Sequence, residues 1–202
     1  MAYRIVLTGG PGAGKTVVAA RLAAESAGRL LHVPEAATHV YERRETRWDQ
    51  LDTEGRRAVQ REIYRTQLER ESELARRGHA SLAFLFDRGS VDGAAYWPDG
   101  SDDYWQSLGT THAAELARYD AVIWLESCAA VGAYDGHASN PCRFEDAQMA
   151  IETGDALAAL WAPHPRFTRV PASPTIEEKV ARVRRSVEDV LPTGSPYNGG
   201  GR

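Results

Sequence analysis

Eight consecutive residues near the N-terminus have the types and spacing needed to hold the phosphates of a nucleotide. Residues 9–16 read GGPGAGKT and match the motif G-x-x-x-x-G-K-[ST] at every position, so a glycine-rich turn without a ligand is the disfavoured alternative. Glycines let backbone N–H groups converge on phosphate oxygens, and the positive end of a following helix adds to the attraction. In this chemistry Lys15 reaches the β- and γ-phosphates and the Thr16 hydroxyl binds Mg²⁺. The predicted contacts with ATP are Gly10, Pro11, Gly12, Ala13, Gly14, Lys15, Thr16 and Val17.

Asp87 is the predicted second ligand of Mg²⁺. It follows the apolar run Leu82–Phe86, and the carboxyl end of a parallel strand is where ligands bind in open α/β sheets. An apolar strand that ends in an acid is typical of the carboxylate that holds Mg²⁺ directly or through water. The alternative is that Asp87 is only a turn residue before Gly89. The sequence thus predicts a metal site made by Thr16 and Asp87.

Glu35 stands at the corresponding end of another predicted strand, directly after Pro34. A carboxylate at this position faces the same crevice and is a candidate general base for a hydroxyl that attacks the γ-phosphate. Alternatively, Glu35 is a first-turn residue that stabilises the N-terminus of a short helix running through Tyr41, by up to about 1 kcal/mol. The residues alone leave both interpretations open.

The elements that must position these residues are predicted from apolar runs and helix-boundary residues. Short apolar runs predict buried strands at Arg4–Thr8 and Leu82–Phe86, and further strands are predicted at Leu30–Val33, Ala121–Leu125 and Phe167–Val170. Helices are predicted at Lys15–Ala27, from Asp52 or Thr53 to Arg77, from near Phe144, and from a Thr175 and Glu178 capping box to about Leu191. This alternation implies right-handed βαβ units. The predicted fold class is α/β, a three-layer P-loop NTPase sandwich with a five-stranded parallel sheet, helices on both faces and a short lid.

Two polar stretches interrupt the alternation of strands and helices. Residues 96–111 are rich in Asp, Gly and Ser, and residues 132–141 are rich in Gly, Ala and Asn. The second stretch belongs to a predicted lid at about 128–146. With 202 residues in all, we expect one domain over residues 1–191 and a disordered tail at 192–202.

Composition narrows the classes of partner. The net charge of −4 and the pI of about 5.9 give no general attraction to a phosphate backbone, so we expect no nucleic acid partner. The sequence has no apolar run near the ~18 residues of a membrane span, so we expect no membrane partner. Its 2 cysteines, Cys128 and Cys142, form no disulfide framework and suit a reducing cytoplasm. The oligomeric state, monomer or homodimer, is left open.

Several of these segments together resemble a known family. The segments are Gly9–Thr16, Val33–Ala37, Gln60 and Gln67 on the long predicted helix, and Asp87–Gly89 with Asp92 and Tyr96. They resemble small bacterial AAA-type ATP-binding P-loop proteins related to ribosylnicotinamide kinases and deoxynucleoside kinases. The resemblance covers most of residues 4–190, although only the P-loop segment is highly specific.

The resemblance implies roles for further residues. In such kinases a carboxylate after the second strand serves as base or as ligand of the acceptor hydroxyl, which implies this role for Glu35. An acid and arginine pair after the third strand implies that Arg88 contacts the acceptor or the transferred group. A lid arginine that neutralises the phosphoryl group implies a catalytic role for Arg143, and a single lid arginine implies an acceptor less charged than a nucleotide. The implied catalytic residues are Lys15, Glu35, Asp87, Arg88 and Arg143.

The resemblance also implies an acceptor pocket beside the long predicted helix. Gln60, Tyr64 and Gln67 share one face of that helix, and a glutamine there often bonds a planar base in the relatives. An exposed face is the alternative, because glutamine is a strong helix former. The implied substrate contacts are Glu35, Gln60, Tyr64, Gln67, Arg88 and Tyr96.

The predicted function is phosphoryl transfer from ATP, with Mg²⁺, to a small hydroxyl-bearing and nucleoside-like acceptor. No Asn-Lys-x-Asp run follows any predicted strand, which favours ATP over GTP. An ATPase or an ATP-sensing regulatory protein without an acceptor is the alternative, as is a binding protein with a vestigial P-loop. The presence of Lys15 and Thr16 disfavours the last of these.

Overall fold

The computed structural model describes residues 2–77, 81–128 and 147–192. It contains one sheet of five parallel strands, in the order β2-β3-β1-β4-β5. The strands are β1 at Tyr3–Thr8, β2 at Leu30–Val33, β3 at Ala83–Asp87, β4 at Ala121–Leu125 and β5 at Phe167–Val170. This arrangement confirms the predicted α/β P-loop fold, and it places β1 at the centre of the sheet.

Helices connect the strands within the described ranges. They are α1 at Lys15–Glu25, α2 at Ala36–Arg44, α3 at Thr53–Arg77, α4 at Ser101–Leu108, α5 at His112–Leu116, α6 at Ala147–Trp161 and α7 at Ile176–Glu188. Short 3₁₀ turns lie at Trp48–Gln50 and Asp92–Tyr96. The Thr175 hydroxyl accepts a hydrogen bond from the Glu178 backbone N–H, so the predicted cap of the last helix is present.

Side chains alternate between the two faces of the sheet and form a core on each. Ile5 and Leu7 of β1 pack with Val18 of α1 and Val183 of α7 on one face. Val6 points to the opposite face, where the core includes Phe86, Trp97, Tyr104 and Trp161. Helices therefore cover both faces, as a fully parallel sheet requires. None of the helices in the described ranges combines the length and the apolar character that crossing a bilayer requires.

The structure differs from the sequence prediction mainly in the polar stretch 96–111. That stretch is helical at Ser101–Leu108, because Gly100 starts the helix and Asp102 and Asp103 occupy its first turn, where acids are favourable. The Asp and Ser residues that indicated a loop are thus helix-start residues. Smaller differences are helix ends at Glu25 and Glu188, which come before the predicted Ala27 and Leu191. Apart from Cys128, the predicted lid at 128–146 lies outside the described residues, as do Arg143 and the tail after residue 192.

Candidate functional site

The phosphate-binding motif forms the loop between β1 and α1. Gly9 has φ +136° and a side-chain Cβ at that position would lie 2.2 Å from the Leu125 carbonyl oxygen, so only glycine fits. Gly14, the residue before α1, has φ +80°. The loop therefore passes very close to the end of β4 before it turns into the helix.

Three consecutive carbonyl groups of the loop are held from behind. The Ser127 hydroxyl donates to the Pro11 carbonyl at 2.6 Å, the Cys128 N–H donates to the Gly12 carbonyl at 3.4 Å, and the Lys179 ammonium donates to the Ala13 carbonyl at 3.1 Å. In a planar trans peptide the C=O and the following N–H point in opposite directions. The N–H groups of Gly12 and Gly14 are thereby directed away from this rear wall, and the first N–H groups of α1 have no partner within the helix.

Lys15 is buried beside the loop. Its side chain is 6% exposed, and its ammonium donates to the carbonyls of Gly9 at 2.8 Å and Gly10 at 3.1 Å. Burial, together with the positive charge of Arg88, lowers the pKa of Lys15 to about 7, against the attraction of nearby carboxylates. The lysine is thus held by two neutral carbonyls whose bonds phosphate oxygens can replace.

Thr16 and Asp87 meet at the head of α1. The Thr16 hydroxyl donates to Asp87 Oδ2 at 2.5 Å, and β3 pairs with β1 so that Asp87 lies opposite Leu7. Asp87 Oδ1 is buried and has no hydrogen-bond partner among the described residues. Burial and the negative charge of Glu35 raise the pKa of Asp87. A hydroxyl and an unsatisfied carboxylate oxygen suit Mg²⁺, which binds few protein ligands and otherwise keeps waters and phosphate oxygens.

Arg88, next to Thr16 and Asp87, bonds the carboxylates of Glu35 and Asp92. Its Nε donates to Glu35 Oε1 at 2.5 Å and its guanidinium bonds Asp92 Oδ1 at 3.1 Å. Arg88 has φ +73°, a conformation rare for a residue with a side chain, and its backbone N–H bonds the Leu7 carbonyl at 3.0 Å. This backbone turn leads the chain from β3 into the cavity, where the Arg88 side chain lies half-buried between Glu35 and Asp92.

Glu35 precedes α2 but does not cap it. Its carboxylate makes no hydrogen bond to the helix backbone and instead accepts bonds from Arg88 and from the Thr38 hydroxyl at 3.0 Å. Burial raises the pKa of Glu35, but the charges of Arg88 and Lys15 and these hydrogen bonds outweigh it and hold the pKa below its usual value. Glu35 is therefore an ionised carboxylate within the site.

One cavity of about 610 Å³ contains both the phosphate loop and the predicted acceptor residues. The predicted residues that line it are Pro11, Gly12, Gly14, Lys15, Thr16, Val17, Glu35, Gln60, Tyr64, Gln67, Asp87, Arg88 and Tyr96. Gly10 and Ala13 belong to the loop but do not line the cavity, since Gly10 packs against Ala150 of α6. Arg143 lies outside the described residues. The structure thus brings the sequence-predicted site together, apart from these three residues.

The helical wall of the cavity contains several buried polar groups. Gln60 is 3% exposed and lines the cavity. Gln67 donates to Glu71 at 3.0 Å, and the Tyr64 hydroxyl donates to Glu115 at 2.8 Å. A carboxylate accepts hydrogen bonds, so the NH₂ group of the Gln67 amide faces Glu71.

Asp92 belongs to the site, although it was not predicted as a site residue from the sequence. Asp92 is buried and accepts hydrogen bonds from the Thr8 hydroxyl at 2.8 Å and from the Trp161 indole at 2.9 Å. These bonds hold Asp92 in place, and Asp92 in turn bonds the part of the Arg88 guanidinium that does not contact Glu35. Its position four residues after Arg88 was the available signal. Trp48 lines the cavity and meets Tyr96 edge to face at 6.1 Å, whereas Trp97, the other tryptophan near Tyr96, is a core residue.

Comparison with known proteins gives three findings. A family model described as an AAA domain matches residues 4–179. Among solved structures, the crystal structure of the NadR protein in complex with NAD and AMP-PNP has a similar fold, with a TM-score of 0.62 and 14% sequence identity. The similarity covers 94% of this chain and 49% of that one, so this chain spans about half the length of the NadR chain. No curated protein matches the sequence.

Proposed function

Because the chain belongs to the AAA domain family, which it matches over residues 4–179, we propose that it binds ATP with Mg²⁺ and transfers the γ-phosphoryl group to a small hydroxyl-bearing acceptor. The observation that carries the proposal is the single cavity in which the phosphate loop and the Glu35 and Arg88 pair lie together. AMP-PNP, an analogue of ATP, is bound in the NadR crystal structure of similar fold, which supports a nucleotide as the ligand.

Each polar residue of the cavity has a distinct task in this proposal. The N–H groups of Gly12 and Gly14 and the ammonium of Lys15 bind the phosphates, and Thr16 and Asp87 hold Mg²⁺. When bound, Mg²⁺ supplies neutralisation of charge on the phosphate oxygens. Glu35 accepts the proton of the acceptor hydroxyl, and Arg88 stabilises the transferred group. The positioning of these groups in a half-enclosed cavity is the main contribution that a protein makes to phosphoryl transfer.

The wall beyond Glu35 indicates the class of acceptor. Gln60 and Gln67 offer amides, of which that of Gln67 is oriented by Glu71, and Trp48 and Tyr96 offer aromatic rings that each have an arginine over one face. Such a wall fits a planar ring that both stacks and forms hydrogen bonds. We infer that a nucleoside-like molecule is the first class of acceptor to test.

The decisive experiment is ATP turnover with and without a panel of nucleosides, vitamins and aminoglycosides. Transfer of radiolabel from γ-³²P-ATP to one compound is the expected result. Steady ATP hydrolysis without any acceptor would instead establish an ATPase, and nucleotide binding without turnover would establish an ATP sensor. Either result would overturn the kinase proposal.

A further inference from the structure

The chain uses lysine at only two positions, and both are at the phosphate loop. Of its 24 cationic Lys and Arg residues, the lysines are Lys15 and Lys179, and all others are arginine. Lys15 is part of the sequence motif. Lys179 is on α7, 166 residues after Ala13, whose carbonyl it contacts. All other cationic Lys and Arg positions are arginine, so the lysine at position 179 indicates that a compact ammonium is needed there.

Lys179 is buried between three acceptors. It is 1% exposed, and its ammonium donates to the Ala13 carbonyl at 3.1 Å, to the Glu126 carbonyl at 2.8 Å and to the Cys128 sulfur at 3.8 Å. The three N–H donors of an ammonium match three acceptors around one point, which a planar guanidinium does not. Within the described residues Lys179 forms no ion pair, and its burial behind the loop lowers its pKa, against the attraction of Cys128 and Glu126.

The ammonium joins the loop to the rest of the nucleotide-binding edge. Glu126 follows β4; its backbone N–H bonds the Val170 carbonyl at 2.9 Å and its carboxylate accepts from the Ala172 N–H at 2.7 Å. Lys179 therefore ties Ala13 to the ends of both β4 and β5. Burying an ammonium without a salt bridge is costly, so such a residue is expected where its position serves a purpose.

We propose that Lys179 is a positioning residue of the phosphate site: by holding the Ala13 carbonyl behind the loop, it keeps the Gly14 N–H directed at the phosphates. The two groups belong to one planar peptide, so fixing the carbonyl fixes the N–H. The positive charge of Lys179 also adds to the attraction of the loop for phosphate. This inference rests on the proposed nucleotide binding and extends it to a residue outside the motif.

Lys179→Met tests the inference, because it keeps the length of the side chain and removes the donors. Calorimetry should show that affinities for ADP and inorganic tripolyphosphate fall about tenfold or more, while affinity for adenosine is unchanged. A merely structural lysine would leave the ratio of ADP to adenosine affinity unaltered. Val183→Ala, in the core on the same helix, is the control that lowers stability without touching the loop and should keep the wild-type ratio.

A measurement on the wild-type protein keeps the test decisive if Lys179→Met does not fold. The backbone ¹⁵N–¹H resonance of Gly14 should shift strongly when ADP is added, since its N–H is directed at the phosphates. An unshifted Gly14 resonance in a protein that binds ADP would overturn the role of Lys179, as would an unchanged affinity ratio in Lys179→Met. Absence of ADP and ATP binding by the wild type would overturn the proposed function together with this inference.

Discussion

At the scale of single residues, the site is defined by how its charges are paired before any ligand is bound. Lys15 is bonded to loop carbonyls, and Arg88 is bonded to Glu35 and Asp92. An incoming phosphate competes for both cations. In the proposed reaction, Glu35 becomes available as a base only when Arg88 is shared with the phosphate, which would link base activation to nucleotide binding.

Glu35→Gln separates binding from transfer. The variant should bind ATP like the wild type, because Glu35 is not part of the phosphate loop, and it should transfer phosphate to the acceptor about 10²-fold more slowly, because the base is absent. Binding is measured by calorimetry and transfer by radiolabel incorporation. Transfer at the wild-type rate would show that Glu35 only orients Arg88 and Thr38.

The lowered pKa of Lys15 predicts that the protein takes up a proton when it binds a nucleotide. In the free protein burial lowers its pKa to about 7, so at pH 8 most molecules carry a neutral lysine. Phosphates favour the charged form, so ADP added at pH 8 without metal should bring a proton with it, and its affinity should fall as the pH rises above 7. Calorimetry in two buffers of different ionisation enthalpy measures the uptake. Identical heats in both buffers would contradict the assignment.

At the scale of elements, the phosphate loop is packed tightly against α6. A Cβ on Gly10 would lie 2.3 Å from the Ala150 carbonyl oxygen, whereas a Cβ on Gly154 of the same contact would meet its nearest atom at 3.6 Å. The two positions therefore differ in whether they require glycine. At residue 10 the close approach of two backbones leaves no room for a side chain, whereas at residue 154 a side chain fits and glycine only weakens the helix.

Substitution at these two glycines should change stability in opposite directions. Gly10→Ala should lower the free energy of unfolding by about 1 to 3 kcal/mol through overpacking. Gly154→Ala should raise it by about 0.5 to 1 kcal/mol, the difference in helix propensity. Urea unfolding measures both. Equal destabilisation by the two variants would show that α6 is packed against the loop differently from the structure.

The elements also show which signals in the sequence were sufficient. The bounds of β2, β4 and β5 were predicted as observed, because Pro34 follows the first, Asp120 precedes the second and Pro171 follows the third. Helix α4 was missed because Asp102 and Asp103 suit both a polar loop and a helix N-terminus. Local pattern therefore determined the bounds of these three strands and failed where an amphipathic helix is short and begins with acids.

At the scale of the whole molecule, strand order assembles the site. β3 and β4 flank β1, so Asp87 and the Glu126–Cys128 segment lie on opposite sides of the phosphate loop. The motifs predicted which strand ends carry chemistry, and most of the residues predicted for the site line the cavity. Which strands are neighbours is set by long-range pairing, and the contact between Lys179 and Ala13 therefore had no signal in local spacing.

Nucleotide binding should be visible in the stability of the whole chain. MgATP at one hundred times its dissociation constant should raise the free energy of unfolding by about 2.7 kcal/mol, measured as a rise in Tm. Removing Mg²⁺ with EDTA should reduce the rise, because Asp87 then faces the phosphates without a cation. Lys15→Ala should fold like the wild type, since burial of its charge costs stability at neutral pH, and should lose the rise. A rise of the same size in Lys15→Ala would contradict the role of the loop.

Because both lysines of the chain contact the phosphate loop, chemical modification of lysine reports on the state of this loop. Reagents that acylate primary amines find no exposed lysine on the arginine-rich surface of this protein, because the residues Lys15 and Lys179 are 6% and 1% exposed. Acylation of Lys15 and Lys179, followed by mass spectrometry, therefore measures how often this one loop opens. Protection by a bound compound would identify ligands of the site without any knowledge of the reaction.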